Sequence, residues 1–362
     1  MSTEPRGPRR IHFNDFTGLG SASLAVPVLK AMEAADPEIR YAYPRNAMLA
    51  DPRIHRASNL RGLLCLTDPA WRRFDRADWP DIAAHLADSR VDTVINFRNP
   101  DLATDPRYTE FRTWHTAEGG RVHWYDLYGR TDLPSLHVQS RMTRLLASAG
   151  IPLGVLQPEW LTEAREWADA APGSPVGLFC SASVPSKRWP APYWRRLVGL
   201  LAEDGDLRFD VFCGAGADER DAAQEFLESL PTVVDSGRVR LVPPGSVADL
   251  AGRLARLSVL VANDTGVGHL AAACGVPVVS LFLSTDPGVW GPVSPSAAHV
   301  HSLTGERCPA QRPLQGNCTH HYDACDAPCQ WDVRPEEVAR VVRGHLPARS
   351  PAVHRPMRRK LL

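Results

Sequence analysis

Two short segments of this chain place polar side chains directly after apolar, strand-like runs, the position where an open α/β sheet holds its ligands. The first is CSASVPSKRWPAPYW, residues 180–194. In it Ser183 offers a hydroxyl and Lys187 a compact positive charge, a combination that suits phosphate. Trp189 reads as a packing anchor for the following helix, and Arg188 as a solvated surface charge. The second segment is SVLVANDTGVGHLAAACGVPVVSLF, residues 258–282. Its apolar run ends at Ala262, the turn Asn263-Asp264-Thr265-Gly266 follows, and a helix begins near Val267. A helix N-terminus presents free N–H groups and a positive partial charge to an anion, and Gly266 lets backbone come close to it. Thr265 adds a hydroxyl. Asp264 either caps the helix or meets a ligand hydroxyl, and local sequence weighs the two readings equally. A third loop, CGAGADERDAA (213–223), carries Asp218 and Glu219, which either reach a ligand or are favourable first-turn acids of a helix.

The elements that must position these residues alternate along the chain. Strand-like runs stand at 11–15, 39–43, 62–66, 91–97 and 122–128, with helical patterns over 80–88 and 135–148. Ser21 is placed to cap an apolar helix through LAVPVLKAM, with Pro27 inside it. The stretch 151–175 has Pro and Gly at both ends and reads as a connection. Beyond it strands and helices alternate more clearly, and SVLVA and VVSLF are continuous apolar runs of the kind parallel sheets bury. The pattern predicts an α/β fold with two units, 1–150 and 176–333, joined by that connection. A C-terminal helix over 334–346 and a Pro- and Arg-rich tail over 347–362 complete the chain.

Composition narrows the function classes. The 362 residues hold 41 Lys plus Arg and 41 Asp plus Glu, a formal net charge of zero, so there is no electrostatic footprint for nucleic acid or anionic membrane. No apolar run has the length of a membrane span, and MSTEPRGPRR lacks the apolar core of a secretory signal, so a cytoplasmic location is expected. Lysine occurs only at Lys30, Lys187 and Lys360 among many arginines, the composition of a GC-rich genome. Cys65, Cys180, Cys213 and Cys274 sit in apolar runs and read as buried thiols. Cys308, Cys318, Cys325 and Cys329, with His320 and His321 between them, lack paired C-x2-C knuckles. They read as a reduced loop, with structural zinc the alternative.

Taken together, Lys187–Pro190 (KRWP), Asn263–Ala272 (NDTGVGHLAA) and Thr285–Pro292 (TDPGVWGP) resemble, in order and spacing, the ADP-heptose:lipopolysaccharide heptosyltransferases of glycosyltransferase family 9. The resemblance is strong over roughly 175–346 and holds only in outline before that. It implies a GT-B architecture, two Rossmann-like domains facing across a cleft, and an inverting transfer with no metal or other cofactor. It also implies a nucleotide-sugar donor, with ADP-heptose the leading candidate. By carry-over, Ser183 and Lys187 contact phosphate, Asp264, Thr265, Gly266 and His269 line the diphosphate and sugar, and Asp218 or Glu219 meets the nucleoside.

The chain departs from that pattern at its first turn. The family has G-D-x-x-x-x-x-P, with the Asp as proposed base; here Gly20-Ser21-Ala22-Ser23-Leu24-Ala25-Val26-Pro27 puts Ser21 in its place. A serine is no unaided general base at neutral pH. Asp15 is the nearest substitute and Asp126 another. Residues 1–150 carry 20 Lys plus Arg against 18 Asp plus Glu, no basic platform for a phosphorylated glycolipid. The expected acceptor is therefore a small natural-product core such as an aminoglycoside or nucleoside, with a lipopolysaccharide-type acceptor as the alternative. A non-catalytic sugar-nucleotide-binding protein that lost its base is a reading from a different class, and an epimerase acting on UDP-sugars fits the three elements least.

Overall fold

The computed structural model describes residues 10–14, 18–67, 91–97, 123–126, 136–168, 174–214, 216–230, 236–303, 308, 311–312, 317–318 and 328–346. The helix expected over 80–88, the tail 347–362, Asp15, Cys325, His320 and His321 lie outside them, and for Asp126 and Asp218 only the backbone is placed.

Two all-parallel sheets form. The first contains β1 (Arg10–Asn14), β2 (Arg40–Pro44), β3 (Leu63–Thr67), β4 (Thr93–Asn96) and β5 (His123–Asp126), in the order β3-β2-β1-β4-β5. The second contains β6 (Val176–Phe179), β7 (Phe209–Phe212), β8 (Val239–Val242), β9 (Val259–Asn263), β10 (Val278–Phe282) and β11 (Ala297–His301), in the order β11-β10-β9-β6-β7-β8. Strands β6, β7, β9 and β10 are buried along their whole length, as continuous Val/Leu/Phe runs require in a sheet covered on both faces. In each sheet the strand order reverses beside the first strand, between β1 and β4 and between β6 and β9. A crevice opens at such a reversal, outside the carboxyl ends of the strands.

The helix α1 (Leu19–Ala35) is buried at ten positions spread around its circumference, so it is a core helix rather than a surface one. Its N-cap is Gly18, which places Ser21 inside the first turn, and the expected Ser21 cap is not formed. The helix α2 (Pro52–Ser58) has Asp51 as its N-cap, accepting from the amides of Arg53 and Ile54. The helix α3 (Val138–Ser148) packs on α1.

In the second half follow α4 (Ala191–Ala202), α5 (Ala217–Glu228), α6 (Val247–Leu254), α7 (Gly266–Ala273), α8 (Pro287–Trp290) and α9 (Pro335–His345). α7 is buried from Val267 to Ala273 and lies against α1. Ala22, Ala25, Val26 and Leu29 of α1 and Val267, Leu270 and Ala271 of α7 thus share one apolar core. The connecting segment is stitched to both helices. Gly154 N donates to Ala31 O at 2.8 Å, Trp160 Nε1 to Ser23 O at 3.2 Å, and Leu161 N to Ala273 O at 2.8 Å. After α7, Gly275 turns the chain into β10 at φ +77°, a conformation L side chains avoid.

Farther along α2, Asp51 Oδ2 also accepts from Ala248 N of α6 at 3.1 Å, and Arg53 pairs with Asp249 at 2.5 Å. No helix among the described residues is long and apolar enough to cross a membrane.

Candidate active site

The loops after β6 and β9 flank the reversal point of the second sheet, and their side chains meet there. Asn263, fully buried at the end of β9, holds them in register. Its Nδ2 donates to Cys180 O at 2.7 Å, and its Oδ1 accepts from Trp189 N at 3.1 Å. Trp189 is buried, packs edge-on against Trp194 at 5.1 Å and donates from Nε1 to Val333 O at 3.0 Å, so it anchors α4 as expected. Arg188 does more than solvate the surface: its Nε donates to Ala182 O at 2.7 Å and pins the serine-bearing loop.

Lys187 and Asp264 form an ion pair, Nζ to Oδ2 at 2.6 Å, with the lysine side chain 19% and the aspartate 5% exposed. Thr285, on the loop after β10, donates from Oγ1 to the same Oδ2 at 2.7 Å. Burial raises the Asp264 pKa more than any other single influence, but Lys187, Thr285 and His269 together hold it below the ordinary carboxylate value. Asp264 is therefore an ionised partner of lysine, and the helix-capping reading does not hold. Thr265 occupies the N-cap of α7 without a side-chain capping bond. Lysine has three donors; one is taken by Asp264, and two remain for a ligand.

His269 stands one turn into α7. Burial pushes its pKa down to about 4, against the pull of Asp264, so it is neutral at physiological pH. Its Nδ1 and the Oγ1 of Thr265 are both buried without a hydrogen-bond partner. Buried polar atoms are normally paired; these two, at the start of one helix, are left without a partner.

Across from α7 stands the start of α1. A Cβ on Gly266 would lie 2.8 Å from Gly20 N and from Leu19 Cβ, and one on Gly20 would lie 2.9 Å from His269 Cδ2. Gly266, expected to let backbone come close to a phosphate, lines the cleft and also has the start of α1 packed against it. Both helices begin without a side-chain cap, so two sets of free N–H groups converge on the same cleft.

That cleft encloses about 400 Å³. Gly18, Gly20 and Ser21 line it from the first half, and Ser183, Lys187, Glu219, Asp264, Thr265, Gly266 and His269 from the second. Of the residues expected to bind the donor or to act as the base, Asp15, Asp126 and Asp218 have no described side chain to place there. Glu219 folds back over Gly214, where an added Cβ would meet its carboxylate.

Asn263, Thr285 and Trp290 stand inside the quoted motifs, but sequence alone assigned them no role of their own. Trp290 lines the cleft. The next residue, Gly291, accepts from His137 Nε2 of α3 at 2.9 Å, which ties the loop to the first half. His137 Nδ1 accepts from Gln139 N at 3.1 Å, so both ring nitrogens are committed to the neutral tautomer. Its pKa is lowered, chiefly by burial. Thr285, Trp290 and Gly291 all belong to TDPGVWGP, and that motif was the available signal.

Comparison with known proteins agrees with this geometry. The model of glycosyltransferase family 9 (heptosyltransferase) matches residues 113–316, more than half of the chain. Lipopolysaccharide heptosyltransferase 1 of Pseudomonas aeruginosa is 33% identical over 187 residues, covering 51% of this chain and 49% of that protein. The Escherichia coli K12 protein of the same name is 35% identical over 105 residues, 29% of this chain and 30% of that one. The alignments thus span half or less of the curated relatives they match. Among solved structures, Escherichia coli ADP-heptose lipopolysaccharide heptosyltransferase II aligns over 93% of this chain and 98% of its own, with a TM-score of 0.64 at 17% identity. An Escherichia coli heptosyltransferase solved with ADP gives 0.60 at 19% identity, over 93% and 99%. The architecture is GT-B, and the chain belongs to glycosyltransferase family 9, the heptosyltransferase family.

Proposed function

We propose that the chain is an inverting glycosyltransferase that moves a heptose-type sugar from an ADP-sugar to an acceptor hydroxyl. One observation carries the donor half of this reading: a lysine with two spare donors and a buried, ionised aspartate share the crevice at the β6/β9 reversal. A ligand that satisfies both carries an anion beside hydroxyl groups, which describes a sugar diphosphate. In this reading Lys187, Ser183 and the start of α7 hold the diphosphate, and Asp264 accepts from sugar hydroxyls. Glu219, which lines the cleft, takes the nucleoside in this reading, with Asp218 beside it in sequence. The solved relatives include one with ADP and one with ADP-2-deoxy-2-fluoro heptose, which supports adenosine diphosphate as the carrier.

In the reaction the acceptor oxygen attacks the anomeric carbon as the bond from that carbon to the β-phosphate oxygen breaks. The acceptor proton passes to a base, and ADP leaves with its charge held by Lys187 and the helix N-termini. Fixed charge of this kind does the work a divalent ion does elsewhere. Asp15, the next residue in sequence after β1, is the base assigned by this reading, because Ser21 cannot serve unaided. The first half of the chain, 1–150, takes the acceptor and 176–333 the donor.

For the acceptor, the relatives named above act on lipopolysaccharide, and that supports a saccharide of that type. The small natural-product acceptor keeps one argument, the near-neutral charge of residues 1–150. Ser21, which lines the cleft in place of the family aspartate, also favours a second reading, a sugar-nucleotide-binding protein without transfer. One experiment separates all three. The chain is incubated with ADP-heptose and a panel of lipopolysaccharide-core saccharides, aminoglycosides and nucleosides, and products are read by mass spectrometry. A heptosylated product with inverted anomeric configuration supports transfer and names the acceptor class. Donor binding with no product from any acceptor supports the binding protein.

A further inference from the structure

Thr285 is buried and donates its hydroxyl to Asp264, which lines the cleft. It reaches Oδ2, the oxygen with which Lys187 Nζ pairs at 2.6 Å, so the two partners converge on one side of the carboxylate. The two partners differ in what they fix. A lysine ammonium on a flexible stem follows the carboxylate as it rotates, whereas threonine is stiff at χ1 and directs its hydroxyl one way. The backbone that carries Thr285 is itself held: the Oγ atoms of Ser284 and Ser186 lie 2.9 Å apart, both buried, and Cys318 N donates to Ser284 O at 3.2 Å. Ser186 and Ser284 immediately precede Lys187 and Thr285, so their bond sets the two Asp264 partners against one another.

We propose that Thr285 is a positioning residue for the sugar half of the donor. It fixes the plane of the Asp264 carboxylate so that Oδ1 faces the hydroxyls of the activated sugar, and it leaves the phosphate contacts of Lys187 untouched. The inference rests on the reading of the cleft as an ADP-sugar site. It assigns discrimination between ADP and ADP-sugar to a residue that touches neither.

The test is calorimetric titration of the full chain with ADP and, separately, with ADP-heptose, for wild type, Thr285→Val and Thr285→Ser. Thr285→Val keeps the shape and removes the donor. It is expected to weaken ADP-heptose about 10-fold or more while ADP stays within about twofold, since a hydrogen bond to a charged group is lost on the sugar side only. Thr285→Ser returns the hydroxyl and should restore ADP-heptose binding to within about threefold of wild type. The proposal is overturned if Thr285→Val binds both ligands as wild type does, if it loses both in equal proportion as a purely structural role would give, or if Thr285→Ser behaves like the valine variant. Wild type binding neither ligand overturns the donor reading itself, and this inference with it, a result distinct from the other three.

Discussion

Replacing Lys187 with alanine takes the cation from an Asp264 side chain that is 5% exposed in the wild type. Removing one partner of a buried ion pair costs about 3–5 kcal/mol, because the remaining charge stays desolvated. Lys187 is itself 19% exposed, so water partly replaces it, and the expected loss is about 2–4 kcal/mol of folding stability at pH 7. The pH dependence has a definite sign. In the wild type the Asp264 pKa is depressed, so its contribution is present above the unfolded value near 3.9 and is lost as pH falls through the folded one. Without Lys187 the dominant influence is burial, which raises the pKa. The variant then loses stability as pH rises, and its deficit against wild type is larger at pH 8 than at pH 5. Lys187→Met combined with Asp264→Asn removes both charges and should recover most of the loss. Urea unfolding of the three proteins at both pH values measures all of this. A Lys187→Ala protein as stable as wild type at pH 8, or a double variant no better than the single, would refute the buried-pair argument.

Further outcomes follow from the same geometry. Gly266→Ala brings a methyl to 2.8 Å from Gly20 N and Leu19 Cβ, so α1 and α7 must part, at about 1–3 kcal/mol by urea unfolding. Ser21→Ala removes no helix cap, because Gly18 holds that position; stability should stay within about 0.5 kcal/mol and any transfer activity should persist. His269 protonates in the fold only near pH 4, whereas an unfolded histidine does so near 6.5. Its stabilising contribution is therefore present above about pH 6.5 and lost as pH falls towards 4, at up to about 1.4 kcal/mol per pH unit, a slope that His269→Asn should flatten in acid-unfolding curves. Transfer measured in EDTA should equal transfer in Mg²⁺, since Lys187 and the helix ends hold the diphosphate; activity restored only by Mg²⁺ would contradict that.

The parts of the fold legible in the sequence are those whose burial leaves a one-dimensional trace. Val259–Asn263 and Val278–Phe282 read as strands because both faces are covered and, up to the terminal Asn263, every position is apolar or small. β11, Ala297–His301, escaped because it is an edge strand with only Val300 buried. α2, Pro52–Ser58, escaped because it has no apolar stripe; Asp51 at its start and the left-handed Asn59 at its end define it. Ser21 was misread as a cap because serine preference is strong there, while the chain already turns helical after Gly18. In the cleft, the sequence pointed to Lys187 and Asp264 separately, each after its own strand. Their pairing, the Thr285 hydroxyl on the same oxygen and the contact of Gly20 with Gly266 are products of sheet order and helix packing, and no local pattern encodes them. The two glycines illustrate the point most plainly: each was noticed for its own loop, and neither loop mentions the other.

The central claim is that the cleft at the β6/β9 reversal binds an ADP-sugar through Lys187. Calorimetric titration of ADP into wild type and into Lys187→Met, both verified as folded by circular dichroism at pH 7, tests it most directly. The account predicts one ADP per wild-type chain and affinity at least about 10-fold weaker in the variant, the loss expected for one charge-assisted contact. Equal affinity in the two proteins, or no binding to the wild type, would contradict it.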